Sequence, residues 1–398
     1  ETRYEYEANG QLLARNNGLI VDGEEFRYDA AANRLNFNTS RFDHVKDNRL
    51  KQWRNHEYKY DAWGNLIEKA VGIVRWQTFT YDCENRLVKT ETMADTQVES
   101  TSSYQYDSLG RRVGKQSEIK GQSDHKRFLW QGLRMLREES PGQSSLYLYE
   151  PGSYAPLARV DQKEGETENK VYYYHTDQIG TPLEMTDADG QIVWQAKYRA
   201  WGAIEKLVVN EVEQNLRFQG QYFDVETGLH YNTFRYYDPE IGRFTTQDPI
   251  GLDGGFNLYQ YAPNTISWID PWGLSCRTDY VGRTPGKSSK TGRDVIERMR
   301  TEGRIRGEGV DMTFKSSKNG EWYSITEADM AHKTDAVTYW NTKGGYFGAK
   351  SSEVRKWMRD PNNYELEQFS INRSAGAKLK QVYRAPNSIV GPHENFSY

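Results

Sequence analysis

Along the first two thirds of the chain, apolar and polar residues alternate in short stretches that end at turn residues. The recurring phrase is Tyr, then Asp or Glu, two residues, Gly or Asn, one residue, and Leu. It reads Tyr6-Glu7…Gly10-Gln11-Leu12, Tyr60-Asp61…Gly64-Asn65-Leu66 and Tyr81-Asp82…Asn85-Arg86-Leu87, with looser copies from Tyr28-Asp29 and Tyr106-Asp107. Alternation predicts strands with one face turned inward, and Gly or Asn supplies the positive φ of a tight turn. The copies start about 21 to 32 residues apart, room for one long hairpin each. A two-stranded ribbon is marginal in water, so the hairpins are expected to pair edge to edge into one continuous sheet.

Beyond Leu274 the pattern changes. Residues 275–292 are rich in Ser, Gly, Thr, Arg and Lys and read as a linker. Asp294–Thr301 is helical in period, with Val295, Met299 and Ile296 on one face. Met312-Thr313-Phe314 and Trp322-Tyr323-Ser324-Ile325 flank Asn319-Gly320, a hairpin signal. A helix is expected from Ser351 to Arg359, stopped by Asp360-Pro361, then a strand at 364–369 and a helix at about 373–383. This tail is a small α+β domain.

Composition sharpens the division. Of 398 residues 36% are hydrophobic, while 28 Tyr and 34 Gly favour strands and turns over large aliphatic helices. No run of 18 uncharged apolar residues occurs, so no membrane-spanning helix is expected. The start, Glu1-Thr2-Arg3-Tyr4, has no apolar leader or initiator Met and reads as a piece of a longer or processed polypeptide. Two distant cysteines, Cys83 and Cys276, exclude a disulfide framework or a Cys-based zinc site. The net charge of −4 conceals an asymmetry: residues 275–398 hold 21 basic and 15 acidic side chains, net +6, and residues 1–274 hold 31 and 41, net −10. That contrast points to a polyanion-binding domain tethered to a body able to mask it.

After residue 170 aromatics and glycines become denser: Tyr172-Tyr173-Tyr174-His175…Gly180-Thr181-Pro182, Phe218-Gln219-Gly220-Gln221-Tyr222, Gly228-Leu229-His230-Tyr231-Asn232, Arg235-Tyr236-Tyr237-Asp238-Pro239…Arg243-Phe244 and Asp270-Pro271-Trp272-Gly273-Leu274. This stretch resembles the core of the Rhs/YD-repeat polymorphic toxins, whose repeats wind into a hollow β-shell. The resemblance implies a mainly β fold, a spiralling shell over 1–170 and a core region over 171–274, followed by a toxin domain over 275–398. It also implies self-cleavage after Leu274 by Asp248 of Asp248-Pro249-Ile250-Gly251 and Asp270 of Asp270-Pro271-Trp272-Gly273, with Arg243 as the associated basic residue. Two adjacent carboxylates can share one proton, one serving as base toward water and the other as acid; a lone Asp-Pro merely starts a turn.

The tail offers a second constellation, Asp329-Met330-Ala331-His332 on a turn leaving the hairpin, then Glu367 and Asn372-Arg373-Ser374. Over residues 310–385 it resembles the HNH/endonuclease VII toxins with a Gly-His-Glu signature and a ββα-metal fold, with Ala331 in place of the Gly and no second His after Asn372. The resemblance implies a divalent cation, Mg²⁺ with Mn²⁺ or Zn²⁺ as alternatives, bound by Asp329 and Glu367. It makes His332 the general base and Asn372 the amide orienting it, with Arg373 beside them. Lys287, Lys290, Arg293, Arg298, Arg300, Arg304 and Arg306 would neutralise phosphates, with Tyr339 and Trp340 stacking on bases. The expected protein is a secreted antibacterial toxin, made in a bacterial cytoplasm and acting in that of a target cell. Its expected partners are nucleic acid, DNA before RNA, an acidic cognate immunity protein, and a type VI spike reached through a part preceding residue 1. The cut fragments are expected to stay associated. Two rivals remain: a metal-independent ribonuclease using His332 with Lys333 or Arg373, and a non-enzymatic surface module binding carbohydrate and nucleic acid.

Overall fold

The computed structural model describes residues 2–7, 10–16, 23–35, 45–151, 153–253, 257–266, 268–274, 281–282, 284–347 and 351–372. The chain divides into two compact units, Leu13–Ser275 with Glu1–Tyr4, and Cys276–Tyr398 with Glu5–Leu12.

The first unit is built on a fifteen-stranded antiparallel sheet in which each strand pairs with its neighbours in sequence, from Gln52–Trp53 to Ile204–Asn210. The repeated phrase is the turn between consecutive strands. Its Asp carboxylate accepts the backbone N–H groups two and four residues on: Asp82 Oδ1 from Glu84 at 2.9 Å and Arg86 at 3.0 Å, Asp107 Oδ1 from Leu109 and Arg111, both at 3.0 Å. The residue between takes positive φ, 86° at Gly64 and 59° at Asn85, which explains the Gly or Asn of the phrase. In two of these repeats the Tyr before the Asp ties its repeat to the previous one. Tyr81 OH donates to Leu66 O at 2.8 Å, and Tyr106 OH to Leu87 O at 2.6 Å.

One face of the sheet is buried. Tyr58, Leu66, Phe79, Leu87, Phe128, Tyr147, Tyr174 and Trp194 pack with Tyr222, Leu229, Tyr231 and Tyr236 of a smaller four-stranded sheet. That sheet comprises Tyr222–Asp224, Leu229–Asn232, Arg235–Asp238 and Arg243–Phe244. The Tyr106 repeat departs from the pattern, placing Arg112 where its neighbours have Leu. Arg112 is buried and grips Asp224 of the small sheet with two nitrogens at 2.5 and 3.0 Å. Lys115 joins Asp224 at 3.1 Å and Glu226 at 2.9 Å. Burial alone would raise the Asp224 pKa, but Arg112 and Lys115 outweigh it and hold the carboxyl below its ordinary value. The compositional change at residue 170 is no break in the sheet: Lys170–Thr176 pairs with Pro156–Lys163 on one side and Pro182–Thr186 on the other.

In the second unit a helix runs from Lys290 to Thr301, four residues earlier than the period suggests. Ser289 caps it, its side chain accepting Gly292 N–H at 3.0 Å. Val295 and Met299 of this helix pack with Ile305, Phe314, Met330, Tyr364 and Leu366. The expected hairpin forms with Thr313–Lys315 against Trp322–Ser324. A second pair joins Ala328–His332 to Tyr364–Gln368, so the expected turn at 329–332 is a strand. The helix Ser352–Arg359 is capped by Ser351 and stops at Asp360. The helix expected at 373–383 lies outside the described residues.

Candidate functional sites

The two Asp-Pro motifs converge on an arginine. Arg235 opens a strand of the small sheet, and its Nη2 lies 3.1 Å from Asp248 Oδ2 and 3.5 Å from Asp270 Oδ2. All three side chains are buried, at 0%, 4% and 1% exposure, so these are ion pairs out of reach of solvent screening. Asp270 Oδ1 accepts the Leu274 N–H at 2.8 Å, which places one carboxylate of the pair directly on the residue preceding the expected cut. The segment leading there is held almost residue by residue. Asn232 Nδ2 donates to Asp270 O at 2.8 Å, Thr233 Oγ1 to Pro271 O at 3.2 Å, Phe234 N to Trp272 O at 3.2 Å, and Arg235 Nε to Gly273 O. Gly220 and Gly273 permit the approach, since a Cβ on either would collide with backbone, Pro271 O and Asn232 O respectively. Behind the clamp, Gln221 bridges Asn232 Oδ1 at 2.9 Å and His230 Nδ1 at 2.7 Å. Burial, and then the charge of Arg217, hold His230 well below its ordinary pKa.

Arg243 is elsewhere. Its guanidinium donates to Asn48 O and lies 4.9 Å from the Tyr259 ring centroid, and burial lowers its pKa. Among the described residues the salt bridges to both Asp248 and Asp270 come from Arg235, not from the expected Arg243. The signal for Arg235 was only its position in a Tyr-rich hairpin.

In the second unit Asp329 and Glu367 are register partners across the two-stranded sheet, which sets their side chains on one face. Asn372 Nδ2 reaches Asp329 Oδ2 at 3.5 Å, and Ser317 Oγ donates to Glu367 Oε2 at 3.2 Å. His332 lies three residues beyond Asp329, and strand alternation turns it to the opposite face with Met330, Tyr364 and Leu366. Its half-buried ring is 4.4 Å from the Tyr364 centroid and parallel to Trp357 at 5.4 Å. The strands thus bring Asp329, Glu367 and Asn372 together and leave His332 at the strand end, on the other side. Arg373 lies outside the described residues.

Asp329 and Glu367 carry oxygens of the kind a hard cation takes, though Glu367 is buried with Oε1 accepting Gln368 N–H and Oε2 accepting from Ser317, and Asn372 turns its NH₂ toward Asp329. Among the described residues no group of three or more His, Cys, Asp or Glu is placed to hold a metal, so a closed zinc site does not fit them. Several cations of the basic run have structural duties. Lys287 Nζ donates to Ile325 O and Ala328 O at 2.7 and 2.8 Å, Arg298 to Pro361 O at 2.7 Å, and Arg304 pairs with Glu365 at 3.1 Å. Trp340 is wholly buried, Tyr339 is buried against Trp357, and neither offers a face to a base.

The family model described as teneurin YD-shell matches residues 1–267. Among curated proteins, the double-stranded DNA deaminase toxin A of Burkholderia cenocepacia is 41% identical over 297 residues, 69% of this chain and 21% of that protein. Toxin protein Tse5 of Pseudomonas aeruginosa is 34% identical over 336 residues, 68% of this chain and 25% of that one. "Probable deoxyribonuclease RhsA" of Dickeya dadantii is 34% identical over 235 residues, 57% and 16%. The chain spans a quarter or less of the length of these relatives.

Proposed function

Since the chain belongs to the teneurin YD-shell family, we propose that it is part of a toxin whose shell carries, and cuts itself free from, a nuclease built from residues 275–398. Relatives that align with similar shares of this chain are named for unlike activities, a DNA deaminase and a deoxyribonuclease, which supports a common shell with variable cargo.

The observation behind self-cleavage is the buried Asp248–Arg235–Asp270 cluster with Asp270 on the Leu274 N–H. One guanidinium offsets one of two carboxylates, and a single shared proton would cancel the remaining charge. The unprotonated carboxylate takes a proton from water, the hydroxide adds to the Leu274 carbonyl carbon, and the other carboxyl gives its proton to the Ser275 nitrogen as the C–N bond breaks. The clamp on 270–274 removes the motion that would otherwise separate these groups. Arg235 keeps the two acids in place throughout.

For the cargo, His332 is the general base of phosphodiester hydrolysis, DNA before RNA, with Asn372 beside the Asp329 carboxylate. Asp329 and Glu367 would hold a divalent cation, which would stabilise charge developing on the phosphate. The separation of His332 from Asp329 across the strand favours one rival, a metal-independent ribonuclease in which His332 acts with Lys333. Incubating the full chain with plasmid DNA and with RNA, in Mg²⁺ or in excess EDTA, decides between them. DNA cleavage lost in EDTA and lost in His332→Ala supports the first reading; RNA cleavage undiminished by EDTA supports the second; no cleavage of either overturns both. Secretion, a spike-type delivery apparatus and an acidic immunity protein belong to the same proposal.

A further inference from the structure

Two cavities open against the helix Ser352–Arg359. One, of about 430 Å³, runs between this helix and the start of Lys290–Thr301, lined by Lys290, Thr291, Arg355, Met358 and Arg359 among others. The other, of about 650 Å³, is lined by Ser352, Arg355, Lys356, Arg359 and Asp360. The second is bounded by this helix and its cap alone and is open to solvent; Arg355 and Arg359 line both, so they form a cationic ridge along the edge of the more enclosed cleft. They are four residues apart and therefore on one helix face, about 6 Å apart along the axis.

Among the described residues, cations outnumber acids along the cleft. Its lining has four cations, Lys290, Arg355, Lys356 and Arg359, against Asp360, whose Oδ1 is occupied by Asn362 N–H at 2.9 Å. Three other arginines of this unit are paired, Arg298 with Glu302 at 3.2 Å, Arg300 with Glu297 at 3.0 Å and Arg304 with Glu365 at 3.1 Å, while Arg293 and Arg306 make no salt bridge to a described residue. No described acidic residue makes a salt bridge to Lys290, Arg355 or Arg359, and all three are exposed. Like charges four apart on a helix repel, and an anion seated between them would relieve that repulsion. Val354 and Met358 anchor the same helix in the domain, and its Trp357 lies parallel to His332. One rigid element therefore carries the ridge on one flank and contacts the candidate base on the other.

We propose that this cleft seats the phosphodiester backbone of the strand to be cut, with Arg355 and Arg359 each engaging a phosphate and Lys290 and Lys356 closing the sides. Guanidinium forks match phosphate oxygens, and such contacts position a strand without reading its sequence. The identity of the strand rests on the nuclease reading above; the cleft itself rests on its own lining.

The test uses the full chain carrying His332→Ala, so that substrate survives, with fluorescein-labelled single-stranded DNA and RNA read by anisotropy across a salt series. Adding Arg355→Ala and Arg359→Ala should weaken binding to both, irrespective of sequence, and reduce the slope of log K against log salt by about 2. Lysine at both positions should restore most of the slope. Unchanged affinity and slope, or no binding by the parent chain, overturns the proposal. So does tighter binding of poly-glutamate with the same dependence on the two arginines, which would assign the cleft to an acidic protein. Failure of the nuclease reading looks different: the unmutated active site then cuts neither DNA nor RNA while both still bind through Arg355 and Arg359.

Discussion

Asp270→Asn separates chemistry from architecture. The amide oxygen keeps the Leu274 N–H bond of 2.8 Å, but the new NH₂ group then faces Arg235 Nη2, a donor meeting a donor where a carboxylate stood at 3.5 Å. Arg235 retains Asp248 at 3.1 Å and its bond to Leu258 O at 3.0 Å. The loss is one buried charged contact out of several, a cost of about 1–3 kcal/mol. At about 2–4 °C per kcal/mol, the melting transition should fall modestly and stay cooperative. Hydrolysis is affected far more, because an amide neither takes nor gives the proton, and acid–base catalysis of this kind is worth roughly 10²–10⁴-fold. Intact-mass spectrometry after purification should give two fragments from the parent chain, the second beginning at Ser275, and one uncut species from the variant. A variant still cut after Leu274 at the parental rate refutes the aspartyl pair. An uncut parent refutes it too, and a variant that has lost its cooperative transition refutes the account of what holds the clamp.

Other outcomes follow from the same geometry. Arg235→Met leaves two buried carboxylates without their shared cation and should cost about 3–5 kcal/mol, read as a shift in urea midpoint, with cleavage lost as well. Arg243→Met, away from the pair, should leave the cut after Leu274 in place. His230 is held neutral by burial, so the unfolded chain binds a proton that the native fold refuses: stability is full above about pH 6.5 and falls by up to about 1.4 kcal/mol per pH unit below it. Urea titrations between neutrality and pH 5 should show that slope, and His230→Gln should flatten it, leaving a remainder from half-buried His56, whose pKa burial and Lys69 also lower. His332→Ala should reduce nucleic-acid cleavage by roughly 10²–10⁴-fold with little change in melting temperature.

What the sequence revealed was local. The Tyr-Asp-x-x-Gly-x-Leu phrase is a turn whose hydrogen bonds close within four residues, so its meaning survives without knowledge of the rest of the chain. Asp248 and Asp270 were legible as a doubled motif. Arg235 was not, because it meets them only where the chain folds back over Gly220 and Gly273, and nothing nearby in sequence distinguishes it from Arg243. Arg112 hid for the opposite reason: it occupies a Leu position, and only Asp224, on another sheet, explains a cation there. Asp329-Met330-Ala331-His332 reads as a turn because its pairing partner lies beyond the following helices. Once it is a strand, simple alternation parts Asp329 from His332. Arg355 and Arg359 carried no signal in the sequence, because a pair of cations four apart on a helix reads as an ordinary solvated face.

The tyrosines Tyr81 and Tyr106 each donate to a carbonyl of the repeat before, and that makes this part of the sheet modular in a testable sense. Excising a whole unit, from one Tyr to the next, should splice like to like and let the hydroxyl find an equivalent carbonyl; excising a single residue from within a strand would turn the inward side chains of the rest of that strand outward. The tie between Arg112 and Asp224 limits this freedom, because it fixes one strand against one distant hairpin. Lineages could lengthen or shorten the scaffold on the near side of Arg112, whereas the stretch from Arg112 to Asp224 must keep its count of strands.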